Sequence, residues 1–89
     1  MRLNYFANDK HKLLDYLYKN AYKRDVGLFF RGNQQKIADH IHFSKGKVNV
    51  LMQDLCKNNF IKLKNKRMGL YEITDKASKV IKLFEDMEV

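Results

Sequence analysis

The stretch that most constrains the fold is residues 44–61, SKGKVNVLMQDLCKNNFI. Ser44 is a good N-cap, because its hydroxyl can accept a hydrogen bond from a backbone N–H group in the first turn of a helix. The apolar residues that follow recur at helical spacing and form one stripe, which comprises Val48, Leu51, Met52 and Leu55. We therefore expect an amphipathic helix whose opposite, outward face carries Gly46, Asn49, Val50, Gln53 and Lys57.

The outward face of this helix has side chains suited to DNA bases. An amide side chain can form two hydrogen bonds with the edge of adenine, and valine can contact the methyl group of thymine. The five outward positions hold two amides, Asn49 and Gln53, and no acid. Amides on a solvated helix face need no function, but together with the neighbouring bases they favour a helix that lies in a groove of duplex DNA.

The distribution of charge favours a polyanionic partner. The 89-residue chain has a formal net charge of +8. Residues 44–67 hold seven bases against one acid, whereas residues 68–89 hold three bases against five acids. A lysine-rich composition alone would not produce this contrast. The charge is concentrated beside the helix that we expect to contact DNA.

Length and residue types set further limits. Eighty-nine residues suffice for one small domain, and 45% apolar content favours a folded chain. No apolar run approaches the roughly 20 residues that span a bilayer. The single cysteine, Cys56, cannot form an internal disulfide and favours a reducing cytoplasm. The expected binding of DNA would place the protein at the nucleoid. The histidines and Cys56 lack the spacing of a zinc site, and no residues are arranged for catalysis. We expect no metal, cofactor, small-molecule ligand, membrane contact or enzymatic activity.

The first half of the chain contains two further predicted helices and a strand. An amphipathic stripe predicts a helix from Asn8 or Asp9 to about Lys23. Residues 26–31, VGLFFR, have the composition of a short strand. Asn33 caps a short helix over residues 34–40, and His42 then turns the chain towards Ser44 in a left-handed conformation.

The second half contains a predicted hairpin and a last helix. Residues 60–65 and 70–74 alternate, with Ile61 and Leu63 on one side of the first strand and lysines on the other. The basic loop between the strands ends in Gly69, which suits a positive φ. Thr74 and Asp75 cap a helix that runs to residue 88 and carries an apolar stripe.

This order of elements resembles the winged helix-turn-helix superfamily, which includes the small multiple-antibiotic-resistance-type regulators. The resemblance covers about residues 33–87 and rests on the cap Asn33, the IHFS turn at 41–44, the apolar positions of the second helix and the NFI sequence at 59–61. His42 and Asn59 stand where that family usually has glycine. The resemblance implies an α+β, mostly α, single domain over residues 1–89, with a three-helix core, a short strand, a β-hairpin wing and a C-terminal helix. The helix-turn-helix would span residues 33–59, the wing 60–74 and the C-terminal helix 75–88.

The residues and the resemblance together predict a transcription regulator that binds duplex DNA sequence-specifically. The helix over residues 44–58 would enter the major groove, and the basic wing would hold the flanking backbone. The predicted DNA contacts are Asn33, Gln34, Ser44, Lys45, Lys47, Asn49, Val50, Gln53, Lys57, Lys64, Lys66 and Arg67. The resemblance also implies a homodimer through the terminal segments, with contacts from Leu3, Tyr5, Phe6, Val80, Ile81, Phe84 and Met87. The alternatives are a winged-helix module for protein interaction, replication or plasmid maintenance, and a non-specific DNA architectural protein.

Overall fold

A computed structural model describes residues 9–87, without the side chains of residues 84 and 87. These residues form helices and strands in the order α1 (Asp9–Lys19), β1 (Tyr22–Arg24), β2 (Gly27–Arg31), α2 (Gln34–Ile41), α3 (Lys45–Lys57), β3 (Ile61–Asn65), β4 (Leu70–Ile73) and α4 (Asp75–Met87). The fold is a winged helix, α+β and mostly α, as the sequence predicted. No helix within this described part is both long enough and apolar enough to span a membrane.

The helix-turn-helix unit consists of α2 and α3, and both helices begin at the predicted caps. The side chain of Asn33 accepts a hydrogen bond from the backbone N–H of Lys36 at 2.8 Å, and Ser44 Oγ accepts one from the N–H of Lys47 at 3.1 Å. Each bond satisfies a backbone donor that the first turn of a helix leaves without a partner. The caps therefore fix where each helix begins and how the pair is spaced along the chain.

Two residues other than glycine have positive φ where these helices end. His42 has φ 62° at the end of α2, and Asn59 has φ 64° after α3. At the second site the N–H of Phe60 donates to Leu55 O at 2.9 Å and the N–H of Asn59 donates to Cys56 O at 3.1 Å. This pair of bonds is a Schellman motif, which reverses the chain at a helix end. The predicted left-handed turn at His42 is confirmed.

The strands form one antiparallel sheet in the order β1-β2-β4-β3, which corrects two predictions. The sequence predicted one short strand plus a hairpin, whereas β1 and β2 form a second hairpin in which Tyr22 pairs with Phe29 and Arg24 with Gly27. The first helix accordingly ends at Lys19 rather than near Lys23. Residues 22–24 have no strong local preference, and they become a strand because β2, itself paired to β4, offers its free edge.

Hydrogen bonds hold the wing against the helices, both near its tip and at its base. Near its tip, the N–H of Gly32, just before α2, donates to Gly69 O at 3.1 Å, and Gly69 has the predicted positive φ, at 63°. At its base, the hydroxyl of Thr74 donates to Asn59 O and Phe60 O at 2.8 and 2.9 Å. The same hydroxyl accepts from the N–H of Ala77 at 3.3 Å and so caps α4. These bonds hold the β3–β4 hairpin at a fixed position beside α3.

The core lies between the helices and one face of the sheet. Each helix contributes residues at helical spacing, and the strands add three, so the buried set is Leu13, Leu14, Leu17, Phe30, Ile37, Ala38, Ile41, Val48, Met52, Leu55, Ile61, Ile73, Ala77 and Ile81. Ile81 has no exposed surface, because it fills the core of its own chain. This corrects its assignment to a dimer interface. Leu63, predicted to face inward, is 46% exposed at the edge strand.

Of the other residues predicted at the dimer interface, only Val80 can be placed, and it is half-buried on α4. Leu3, Tyr5 and Phe6 lie outside the described residues, as do the side chains of Phe84 and Met87. Leu83, also on α4, is 62% exposed.

Candidate nucleic-acid interface

A broad open groove runs between α3 and the wing, and the N-terminus of α2 forms part of its wall. Its lining comprises Arg31, Gly32, Asn33, Gln34, Gln35, Lys36, Lys45, Asn49, Met52, Gln53, Cys56, Lys57, Ile61, Lys62, Leu63, Lys66, Arg67, Met68, Gly69 and Tyr71. The predicted helix face and the predicted basic loop therefore border the same concave surface.

A polar ridge follows the groove along α3. Lys45, Asn49, Gln53 and Lys57 are spaced four residues apart, so they lie one above another on the helix, and all four are exposed. The two amides are at the centre of the ridge and a lysine is at each end. Val50 projects beside the ridge and is 64% exposed. The inward stripe is buried as predicted at Val48, Met52 and Leu55.

The charge on the groove is entirely positive. Seven bases line it, and within residues 9–87 no aspartate or glutamate does. They come from β2, α2, α3, β3 and the wing loop: Arg31, Lys36, Lys45, Lys57, Lys62, Lys66 and Arg67. A concave surface of one sign raises the local concentration of an oppositely charged partner. The groove thus accounts for seven of the chain's 18 bases and attracts anions.

The floor of the groove is partly apolar and stays uncharged. It includes Met52, Leu63 and the ring of Tyr71. Burial raises the pKa of the Tyr71 hydroxyl and that of the Cys56 thiol, so both remain protonated near neutral pH. An anion in the groove would therefore meet positive charge from the rims and no negative charge from the floor.

An amide pair joins α2 to α3 at one end of the groove. Gln34, the first residue of α2, donates from Nε2 to Asn49 Oδ1 on α3 at 3.3 Å. Tyr71 of β4 lines the same groove. The half-buried Gln34 thus contacts the outward face of α3.

Two of the predicted DNA-binding lysines are held by acids of the chain itself. Lys47 forms an ion pair with Asp9 of α1, and its ammonium lies 4.4 Å from the centre of the Phe43 ring. Lys64 pairs with Glu72 on the neighbouring strand at 3.3 Å. Neither residue lines the groove. Ser44 and Val50 do not line it either, whereas the remaining eight predicted contacts do.

Sequence reasoning missed three basic residues of the groove: Arg31, Lys36 and Lys62. Arg31 ends β2 and Lys36 lies in the first turn of α2, directly beside the predicted anchor Asn33. Both residues lie within three positions of the predicted cap Asn33 in the sequence, and this could have identified them as groove residues. Lys62 was predicted on the side of the first wing strand opposite Ile61 and Leu63. It lies on β3, the edge strand, and lines the groove.

The described residues include no group of three or more His, Cys, Asp or Glu side chains that could hold a metal ion.

Comparison with known proteins identifies the fold. Neither protein-family models nor curated protein sequences match the chain. Among solved structures, it is similar to the reduced Fe(II) CO-sensing protein from R. rubrum, with a TM-score of 0.67 and 20% identity over 80% of this chain and 35% of that one. It is similarly related to the imidazole-bound CO-dependent transcription factor CooA from Carboxydothermus hydrogenoformans, with a TM-score of 0.67 and 20% identity over 90% of this chain and 38% of that one.

The chain therefore spans little more than a third of the length of each solved structure. At this level of identity the likeness supports a winged helix-turn-helix fold in general. It does not single out the multiple-antibiotic-resistance-type regulators.

Proposed function

We propose that the chain is a transcription regulator that binds duplex DNA sequence-specifically, with α3 in the major groove and the wing on the flanking backbone. One observation carries the proposal: a groove lined by seven bases, and by no acid of residues 9–87, runs along the exposed amides of α3. The bases suit phosphates, which dominate affinity, and the amides suit base edges, which specify sequence. The chain would act by binding rather than as an enzyme.

The dimensions of the site support this arrangement. An α-helix with its side chains is about 10–12 Å wide, and the major groove of B-DNA is about 12 Å wide. With α3 in that groove, Asn49, Gln53 and Val50 face the bases. Lys66 and Arg67 of the wing loop then lie on the same side of the protein as α3, where the adjoining sugar-phosphate strand runs. The N-terminus of α2 adds the Nδ2 group of Asn33 and nearby backbone N–H groups as a further phosphate contact.

The similar solved structures add a second line of support. One of them is described as a transcription factor, and the chain matches about a third of it. We propose the same broad role here, in the cytoplasm at the nucleoid. A closer relationship to the multiple-antibiotic-resistance-type regulators is a finer form of this proposal that rests on the order of elements alone.

The salt dependence of binding tests the electrostatic part. If about six of the seven bases contact phosphates, log K should fall with log salt at a slope of roughly −5 per bound subunit. Fluorescence anisotropy of a labelled duplex at several NaCl concentrations measures this slope. A slope near zero would contradict the proposal, because it would mean that the groove releases no counterions from DNA.

A pair of substitutions tests whether α3 contacts bases. Gln53→Ala should reduce discrimination between the preferred and a random duplex by about 1–3 kcal/mol, whereas Lys66→Ala should weaken both duplexes alike. Both residues are exposed, so neither change disturbs the core. Equal effects of the two substitutions on specific and random DNA would show that α3 does not read sequence and would favour a non-specific architectural role.

We also propose that the protein binds DNA as a homodimer through its terminal segments. The exposed Leu83 and the half-buried Val80 on α4 support this arrangement. Sedimentation velocity across a concentration series should show a monomer–dimer equilibrium. A monomer at every concentration would contradict the dimer and would favour a module that presents α4 to a different protein.

A further inference from the structure

The Gln34–Asn49 contact constrains how α3, the helix that we propose lies in the major groove, can meet a base. The amide of Gln34 donates from Nε2, so the acceptor in the 3.3 Å contact is Asn49 Oδ1. One lone pair of that oxygen is then occupied by the protein. Within the described residues, the Nδ2 group of Asn49 has no hydrogen-bond partner, and the residue is exposed on the groove. The contact therefore points the donor end of the Asn49 amide away from α2.

The position of Gln34 is itself fixed from both sides. It follows Asn33, whose side chain caps α2 at 2.8 Å, and Gly32, whose N–H is bonded to Gly69 O of the wing at 3.1 Å. A side chain held in this way can impose an orientation on a more exposed neighbour, as the partners of a binding residue often do.

We infer that Gln34 is a positioning residue that sets the base preference of Asn49, by holding its amide with the Nδ2 donors towards DNA; this rests on the proposed binding of duplex DNA. Outward Nδ2 donors suit the acceptors on the major-groove edge of a purine, N7 above all. The remaining lone pair of Oδ1 is available to the N6 amino group, so adenine is the base that satisfies both ends of the amide. Gln34 therefore acts through Asn49 rather than as a phosphate anchor.

The test exploits the fact that a carboxylate only accepts hydrogen bonds. In Gln34→Glu, the carboxylate can contact Asn49 only through the Nδ2 group, so the amide must turn and present Oδ1 to the base. Gln35→Glu is the matched control. It adds the same charge one residue along, on the groove, where Gln35 Nε2 bonds to Asp39 Oδ1 of its own helix at 3.0 Å and does not reach α3.

The readout is the dissociation constant for four duplexes that differ only at the base pair contacted by Asn49. That pair is found as the position at which Asn49→Ala loses discrimination. Gln35→Glu should weaken all four duplexes by one common factor. Gln34→Glu should show a similar common factor and, in addition, reduce the ratio between the preferred base and the others by about tenfold, or change which base is preferred.

The result that overturns the inference is an equal effect of Gln34→Glu and Gln35→Glu on all four duplexes, while Asn49→Ala still abolishes discrimination. That pattern leaves the proposed function intact. Absence of discrimination at every position in the unaltered protein would instead overturn sequence-specific binding and the inference with it.

A measurement without DNA separates the contact from the binding. The side-chain amide resonances of Asn49 in the free protein should shift in Gln34→Glu and stay unchanged in Gln35→Glu. Unmoved resonances in both variants would overturn the inference directly, because Gln34 would then not hold that amide.

Discussion

Lys45 and Lys47 lie two residues apart on the same helix and have opposite surroundings. Lys45 borders the groove, which no acid of residues 9–87 lines. Lys47 instead forms an ion pair with Asp9 of α1, and the Phe43 ring lies beneath its ammonium. A lysine already neutralised by its own protein has little charge left for a phosphate. The chain thus contains two classes of base, and only one of them lines the groove that we propose binds DNA.

The same division separates the two sides of α3 as a whole. On the side of α1, Lys10 pairs with Asp54 at 2.5 Å and Asp9 pairs with Lys47, so two ion pairs join α1 to α3. On the groove side, amides and bases are exposed. The ion pairs hold α3 against α1, and the other side of α3 lines the groove. The net charge near a helix is therefore an incomplete guide to its function, because some of its lysines form ion pairs with acids of the same chain.

The largest expected effect comes from breaking the attachment that keeps the wing opposite α3. A Cβ atom at residue 69 would lie 2.3 Å from Gly32 O, and the residue has φ +63°. Gly69→Ala should therefore lower the free energy of unfolding by about 2–3 kcal/mol, from the clash and the left-handed backbone. Chemical denaturation measures the change.

Gly46→Ala is the matched control, because a Cβ there meets no atom of the described residues within 4 Å and the residue lies in a helix. It should leave stability unchanged or raise it by up to about 1 kcal/mol. Similar losses in both variants would show that the wing is not held by its contact with Gly32.

The next largest effect tests the two classes of lysine directly. Lys45→Ala with Lys57→Ala removes two groove charges, and each lost phosphate contact should cost roughly fivefold in affinity at 0.15 M salt, so about 25-fold together. The slope of log K against log salt should become shallower by about 1.8. Anisotropy titrations at four salt concentrations give both quantities.

Lys47→Ala with Lys64→Ala removes the same formal charge from residues that are already ion-paired. Affinity and slope should stay within about twofold and about 0.5 of the unaltered protein, because neither lysine lines the groove and salt screens the charge that each leaves on Asp9 or Glu72. If the two double variants lose equal affinity, the division into two classes is wrong and total charge governs binding.

A smaller effect concerns stability. Lys47→Ala removes a partly exposed ion pair and a cation on the Phe43 ring, which together should lower the free energy of unfolding by about 0.5–1.5 kcal/mol. Lys45→Ala should change stability by less than about 0.5 kcal/mol, because the residue is exposed and no acid within residues 9–87 pairs with it. Thermal melts of both variants compare them. A larger loss for Lys45→Ala would contradict the roles given to the two residues.

The smallest effect is a dependence on pH at Asp54. The hydrogen bond from Lys10 holds the pKa of this carboxyl below its usual value, against a weaker effect of burial. A carboxyl with a lowered pKa stabilises the fold above its unfolded pKa of 3.8, and that contribution is lost as pH falls through the lower, folded value. Asp54→Asn should therefore be less stable than the parent at pH 7, and the difference should vanish in strong acid. A difference that is the same at pH 7 and in acid would argue against this linkage.

Local patterns predicted most of the fold. The caps Asn33 and Ser44, the stripe of α3 and the positive φ of His42 depend on neighbours in sequence, and the structure confirms each of them. Strand β1 was missed because it depends on pairing with β2 rather than on its own residues, Tyr22–Arg24. The predicted end of α1 was wrong for the same reason.

The candidate site was predictable to a similar extent. Spacing along α3 placed Asn49, Gln53 and Lys57 on one face, and the alternating strands placed the basic loop beside them. The choice of partner could not be predicted, since Asp9 is 38 residues from Lys47 and Gln34 is 15 residues from Asn49. Such contacts arise only when the helices pack, so no local pattern indicates that Lys47 pairs with Asp9 or that Asn49 accepts a hydrogen bond from Gln34.

The most direct test of the central claim is selection of bound duplexes from a random pool, followed by measurement of affinity for the selected and a scrambled sequence at 0.15 M salt. The exposed amides and the bases that line the groove predict an enriched sequence motif that is bound at least about 100-fold more tightly than its scrambled form. They also predict that Asn49→Ala and Gln53→Ala each reduce that ratio. A selected pool without any enriched motif, together with equal affinity for both duplexes, would contradict the claim that α3 contacts DNA bases sequence-specifically.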